Sequence, residues 1–182
     1  MYSWKKRRVP APRSTPTSNT GCDVSSLCAG DWLVVRGQGP GRVVGRERTT
    51  VGGMEQECVV LQLGTTKLYL STAVRHANVR RPMSQEDAAA LLAALSSPLP
   101  APDTRDWRER SADFEAAALS NEPKQMTDAL RAMWARPLPR SYGDRKASDI
   151  LEQVLLQELA LVLGLPVEAV AARLPTRPPP SP

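Results

Sequence analysis

The sequence predicts an α+β protein: a small SH3-like or Tudor-like antiparallel β domain followed by an all-α domain of about five helices. Two observations support this class. Short β-branched runs between glycines occupy the first half, and apolar residues at helical spacing occupy the second. At 182 residues the chain has room for two small domains. We therefore divide it into residues 1–29, 30–82, 83–174 and 175–182.

Residues 30–82 carry the signals of a small sheet. Four short apolar runs follow one another, separated by glycine-containing turns: Trp32-Leu33-Val34-Val35, Arg42-Val43-Val44, the stretch 57–63, and Lys67-Leu68-Tyr69-Leu70. Strands of this length and spacing are typical of small antiparallel barrels or curled sheets.

Residues 83–174 have helical periodicity. Ser84 is a suitable N-cap, with Asp87 three residues later, and Pro123 suits the first turn of a third helix. We expect helices near 84–95, 106–119, 123–134, 148–163 and 166–174. The strongest is 148–163, in which Ile150, Leu151, Val154, Leu155, Leu159 and Val162 form a stripe that Gly164 ends.

The two ends of the chain lack residues that could form a core. Residues 1–29 are rich in Pro, Ser, Thr and Arg, which predicts a disordered basic arm that is dispensable for folding. Residues 175–182 contain five prolines and predict a stiff proline-rich tail.

Composition excludes several classes of protein. The net charge of +5 and the pI near 9.4 favour polyanionic partners. The sequence has no apolar run long enough to cross a bilayer and no secretory signal, so we expect a cytoplasmic location and no membrane partner. Three cysteines and the single histidine match no standard metal spacing, and no nucleophile-base arrangement is visible. We therefore expect no enzyme activity, no metal and no cofactor.

The order of these parts resembles the CarD/CdnL family of bacterial transcription regulators. Gly30-Asp31 with Leu33-Val34-Val35 is similar to its opening strand, residues 37–41 to its glycine turn, and Glu47 to the acidic residue ending its second strand. Further likenesses lie at Val79-Arg80, 106–110, 130–134 and 155–160. The resemblance spans about residues 30–174.

The resemblance implies a mechanism without covalent catalysis. The β domain would bind the RNA polymerase β subunit by extending its sheet, and the helical domain would contact promoter DNA through a tryptophan wedge in the minor groove. The implied polymerase-binding residues are Glu47, Arg48, Thr49, Thr50, Lys67 and Tyr69. The implied DNA-binding residues are Trp107, Arg105, Arg108 and Arg110. The protein would act as a monomer that is nucleoid-associated through the polymerase.

Some positions depart from the family pattern. Thr49 and Tyr69 stand where family members often have arginines, and Ala112 stands where a basic residue usually follows the tryptophan. The alternative function is therefore a protein-protein adaptor of the same fold that has lost polymerase or DNA binding. Trp107 itself has two interpretations, a DNA wedge or a core residue, whereas Trp134 continues an apolar stripe and is predicted to be core.

Overall fold

A computed structural model describes residues 21–105, 107–135 and 142–174. It confirms the predicted α+β class, with a five-stranded antiparallel sheet followed by five helices. The strands are β1 (Trp32–Val35), β2 (Gly39–Val51), β3 (Met54–Leu63), β4 (Thr66–Ser71) and β5 (Val79–Arg80). Their order in the sheet is β4-β3-β2-β1-β5, so β4 and β5 are the outer strands.

The hairpin of β2 and β3 is longer than the sequence runs predict. Gly52 and Gly53 have φ values of 62° and 84°, the positive values that a two-residue type I′ hairpin turn requires. From this turn the strands pair from Val51↔Met54 to Arg42↔Gln62, with a register shift between Val43 and Gly45. Because β1 pairs only with residues 39–42 of β2, the turn end of the hairpin extends beyond β1 as a two-stranded ribbon.

The prediction of a disordered arm is wrong for residues 21–29. Val24 and Leu27 are fully buried in the core of the sheet. Cys22 forms an isolated antiparallel bridge with His76, and the Arg46 guanidinium donates to the carbonyls of Ser25 and Leu27. Two apolar side chains anchor this stretch, although its average composition is polar. Residues 1–20 of the predicted arm lie outside the described residues.

The helices are α1 (Gln85–Ser96), α2 (Trp107–Ser120), α3 (Pro123–Trp134), α4 (Tyr142–Leu163) and α5 (Val167–Ala171). The predicted cap of α1 is confirmed, since the Asp87 N–H donates to Ser84 Oγ at 3.0 Å. Gly164, with φ of 65°, follows the last residue of α4 as predicted.

The long helix α4 differs from its prediction in two ways. It begins at Tyr142, six residues earlier than residue 148, because its first turns carry charged residues and offer no apolar stripe to the sequence pattern. Ile150, predicted to be buried, is 36% exposed. The rest of the predicted stripe packs inward, with Leu151, Val154, Leu155 and Leu159 buried.

The helical core lies directly against the sheet. Trp134 is 6% exposed and belongs to this core, which confirms its predicted role. Val34 of β1 also packs in the helical core rather than in the sheet core of its neighbours Leu33 and Val35. The strands precede residue 82 and the helices follow it, yet the two modules share a packed interface.

Candidate functional site

The outer strand β4 presents unpaired backbone groups at one edge of the sheet. Just beyond its end, the Thr72 N–H donates to the Glu57 carbonyl of β3 at 3.0 Å. Antiparallel pairs alternate between bonded and non-bonded positions, so Leu70 and Leu68 also turn their backbone groups toward β3. The backbone N–H and C=O of Lys67 and Tyr69 therefore point away from the sheet.

Tyr69 adds a side chain to this edge, which we call the β4 edge. Its side chain is 42% exposed, and Lys67 is also exposed. The carbonyl of Ser71, the next outward position, already faces His76 Nε2 at 2.9 Å. The open part of the β4 edge is thus about three residues long and centred between Lys67 and Tyr69.

A second open edge lies on the ribbon of β2 and β3. Across the two-residue turn, Val51 and Met54 form the first bonded pair, so Thr49 and Glu47 also bond toward β3. Arg48 and Thr50 alternate with them and turn their backbone groups outward. Among the described residues, no strand pairs with this side of the ribbon.

The six predicted polymerase-binding residues therefore divide into two groups. Lys67, Tyr69, Arg48 and Thr50 offer outward backbone groups, whereas the backbones of Glu47 and Thr49 are used within the hairpin. The structure does not bring all six together. The four residues 47–50 lie on β2, whereas Lys67 and Tyr69 lie on β4, and β3 lies between these strands.

The predicted DNA-binding residues surround the first turn of α2. Trp107 is the first residue of the helix, but its side chain lies outside the described part of the structure. Arg108 has an exposed side chain. The backbone position therefore matches the prediction of a tryptophan at a helix start beside basic residues.

Arg105 is neutralised by acidic neighbours. Its guanidinium contacts Asp103 Oδ2 and Asp113 Oδ2, each at 2.7 Å. Arg110 also turns inward, since its Nη1 donates to the Arg105 carbonyl. The sequence indicates a basic cluster because it places three arginines within six residues, and it does not reveal which carboxylates fold back onto them.

These contacts also shift proton affinities. The side-chain and backbone N–H groups of Arg105 donate to Asp103 and lower the pKa of that carboxyl from 3.8 to about 2. The two carboxylates raise the pKa of Arg105 in turn. In the segment before the sheet, burial raises the pKa of the Cys22 thiol.

An ion pair that the sequence did not predict joins the two modules. Arg80 of β5 donates from Nη1 and Nη2 to Glu158 Oε1 and Oε2 of α4, at 2.5 and 2.6 Å. The Met83 N–H donates to the same carboxylate at 2.9 Å, and Arg80 Nε donates to the Asn121 carbonyl. Glu158 is fully buried. In the sequence, Glu158 lies four residues after Val154 and three after Leu155, on the face of the predicted stripe, but nothing there indicates a partner 78 residues earlier.

The described residues contain no group of three or more potential metal ligands. Of the three cysteines and the histidine, Cys22 and His76 are paired by a β-bridge, whereas Cys58 is buried in β3 and Cys28 is exposed before β1. None of the helices that the structure describes is both long and apolar enough to span a membrane.

Comparison with known proteins does not assign this chain to a family. No protein-family model matches the sequence, and no curated protein matches it with significant similarity.

Proposed function

We propose that this protein is a transcription regulator that binds the RNA polymerase β subunit through its sheet and stabilises promoter open complexes through α2. The observation that carries this proposal is the open β4 edge. It offers outward backbone groups at two of the residues, Lys67 and Tyr69, that the CarD/CdnL resemblance implies for the polymerase contact. An added partner strand would satisfy groups that are otherwise left to water.

The helical module supplies the second half of the proposal. Trp107 begins α2, and Arg108 lies beside it with an exposed side chain. The buried pair of Arg80 and Glu158 fixes the sheet against the helices. A protein built this way holds its two binding surfaces at a constant separation, as a regulator that contacts polymerase and DNA at the same time requires.

The test is binding of the full chain to bacterial RNA polymerase β subunit. The isolated segment 30–82 is unsuitable, because it lacks Val24 and Leu27 and exposes Val34. We expect Tyr69→Pro to weaken binding at least tenfold, since proline removes an outward N–H without breaking a bond to β3. Tyr69→Ala keeps that N–H and separates the backbone contribution from the side chain.

The matched control is Thr50→Pro, which removes an outward N–H from the ribbon instead. If Thr50→Pro alone weakens binding, the polymerase contact lies on the ribbon and not on the β4 edge. Absence of any association at concentrations of tens of micromolar, where weak modules of this kind still bind, would refute the polymerase proposal.

The adaptor alternative is favoured by one observation. Arg105 and Arg110, both expected to hold phosphates, are engaged within the protein. An adaptor would bind its partners with little dependence on salt, whereas phosphate contacts make affinity fall steeply as salt rises. The salt dependence of promoter-complex binding therefore distinguishes the two functions.

A further inference from the structure

An uncharged groove lies between the sheet and α4. Its volume is about 650 Å³. The main lining residues are Trp32, Pro40, Leu63, Gln153, Gln157 and Leu165, and none of the described residues that line it is charged. The groove reaches the start of β4 at Thr66, but its lining includes neither Lys67 nor Tyr69 of the β4 edge, nor the first turn of α2.

The groove has an apolar wall and unpaired amides. Trp32 is 38% exposed there. The side-chain amides of Gln38, Gln153 and Gln157 also line it, and none of the three makes a hydrogen bond to another described residue. An aromatic surface beside free amide donors is the combination that recognises polyproline II segments, whose rings pack on the aromatic and whose carbonyls are unbonded.

The chain itself contains a proline-rich sequence, and this composition favours polyproline II. Residues 175–182 read Pro-Thr-Arg-Pro-Pro-Pro-Ser-Pro, with a single charged side chain. We propose that the groove binds residues 175–182 of the same chain.

The point where this segment begins lies within reach of the groove. Val167, the first residue of α5, lines the groove, and Leu174 is seven residues later. The Arg173 carbonyl accepts from Ser96 Oγ at 2.9 Å and so fixes this point. The helical path from Val167 to Leu174 covers about 10–14 Å, while eight residues of polyproline II span about 25 Å. The segment is therefore long enough to return to Trp32.

Tethering removes the need for a tight contact. A short tether gives an effective concentration of about 1 mM. An intrinsic Kd of about 100 μM then leaves the groove about nine-tenths occupied. The groove lies between β1 and α4, so the bound segment would cover an uncharged part of the interface between the two modules.

The test uses the indole N–H signal of Trp32 in the ¹⁵N-labelled full chain, assigned with Trp32→Phe. We expect the signal to move in the triple variant Pro178→Ser, Pro179→Ser, Pro180→Ser, and to return when a synthetic peptide of residues 175–182 is added. The matched control, Thr176→Ala with Ser181→Ala, keeps the prolines and should leave the signal in place. The signal of the buried Trp134 reports that the fold is intact.

A second variant tests the groove side of the contact. Gln153→Ala removes an exposed amide from the rim and should weaken peptide binding to the triple variant at least fivefold. An identical Trp32 signal in the full chain and the triple variant would overturn the proposal. A Trp32 signal that changes with protein concentration would also overturn it, because the segment would then come from a second copy.

Discussion

Arg80 and Glu158 form a two-point ion pair across the interface between the sheet and the long helix. Both N···O distances are 2.6 Å or less, and the Glu158 side chain is completely buried while that of Arg80 is 19% exposed. The Met83 N–H supplies a further donor to the carboxylate. A carboxylate held by three donors in this way is well compensated for its loss of water.

Removing one partner of this pair should destabilise the protein strongly. We expect Glu158→Gln to lower the free energy of unfolding by about 3–5 kcal/mol, because Arg80 is left without a counter-charge in a mostly buried place. The control is Glu57→Gln, in the exposed pair with Arg46 at 3.5 Å, which should cost less than about 1 kcal/mol. Equal losses in urea denaturation of the two variants would contradict this account.

The segment before β1 should contribute to stability through Leu27. Because this side chain is fully buried in the sheet core, Leu27→Ala should cost about 2–5 kcal/mol. Ser26→Ala, at an exposed neighbouring position, should cost less than about 0.5 kcal/mol. The measurement is chemical denaturation of the full chain. A negligible effect of Leu27→Ala would restore the prediction that the whole arm is dispensable.

The sequence predicted the elements better than the contacts between them. Strand runs, the Ser84 cap and the Gly164 stop depend on local chemistry, which neighbouring residues reveal. The burial of Val24 and Leu27 was not predicted, because two apolar residues are too few to define a periodic pattern.

The candidate sites also depend on contacts that local sequence does not reveal. The outward direction of Lys67 and Tyr69 follows from strand alternation once the register is known, but register is a tertiary property. The pairing of Arg80 with Glu158, 78 residues away, and the neutralisation of Arg105 by Asp113 had no signal in local spacing. The pair of Arg80 and Glu158 depends on how the two modules pack together. The contact of Arg105 with Asp113 depends on the conformation of a surface side chain.

The carboxyl of Asp103 should titrate at an unusually acid pH. Its folded-state pKa of about 2 lies below the ordinary value of 3.8. The ionised form is therefore favoured by folding, and its small stabilising effect is present above about pH 4 and lost as the pH falls toward 2. We expect the NMR-monitored pKa of Asp103 to rise toward 3.8 in Arg105→Gln, since the guanidinium is the main cause. A pKa that stays near 2 in this variant would assign the shift to another group.

The arginines around α2 should contribute unequally to DNA binding. Each phosphate contact that is lost should reduce the slope of log affinity against log salt by about one. We expect this reduction for Arg108→Ala. Arg105→Ala should leave the slope nearly unchanged, because Asp103 and Asp113 already balance that charge at 2.7 Å. A full unit of slope lost in Arg105→Ala would show that DNA displaces the two carboxylates.

Trp107→Ala completes this test, because it separates a wedge in the DNA from a residue of the core. If Trp107 is a wedge at the start of α2, its truncation should shorten the lifetime of promoter open complexes and cost little stability. If Trp107 is a core residue, its truncation should lower the free energy of unfolding by about 3–5 kcal/mol. The melting temperature and the open-complex lifetime are measured on the same variant. Early melting with an unchanged lifetime at a permissive temperature would refute the wedge, and the adaptor function would then be the better account of α2.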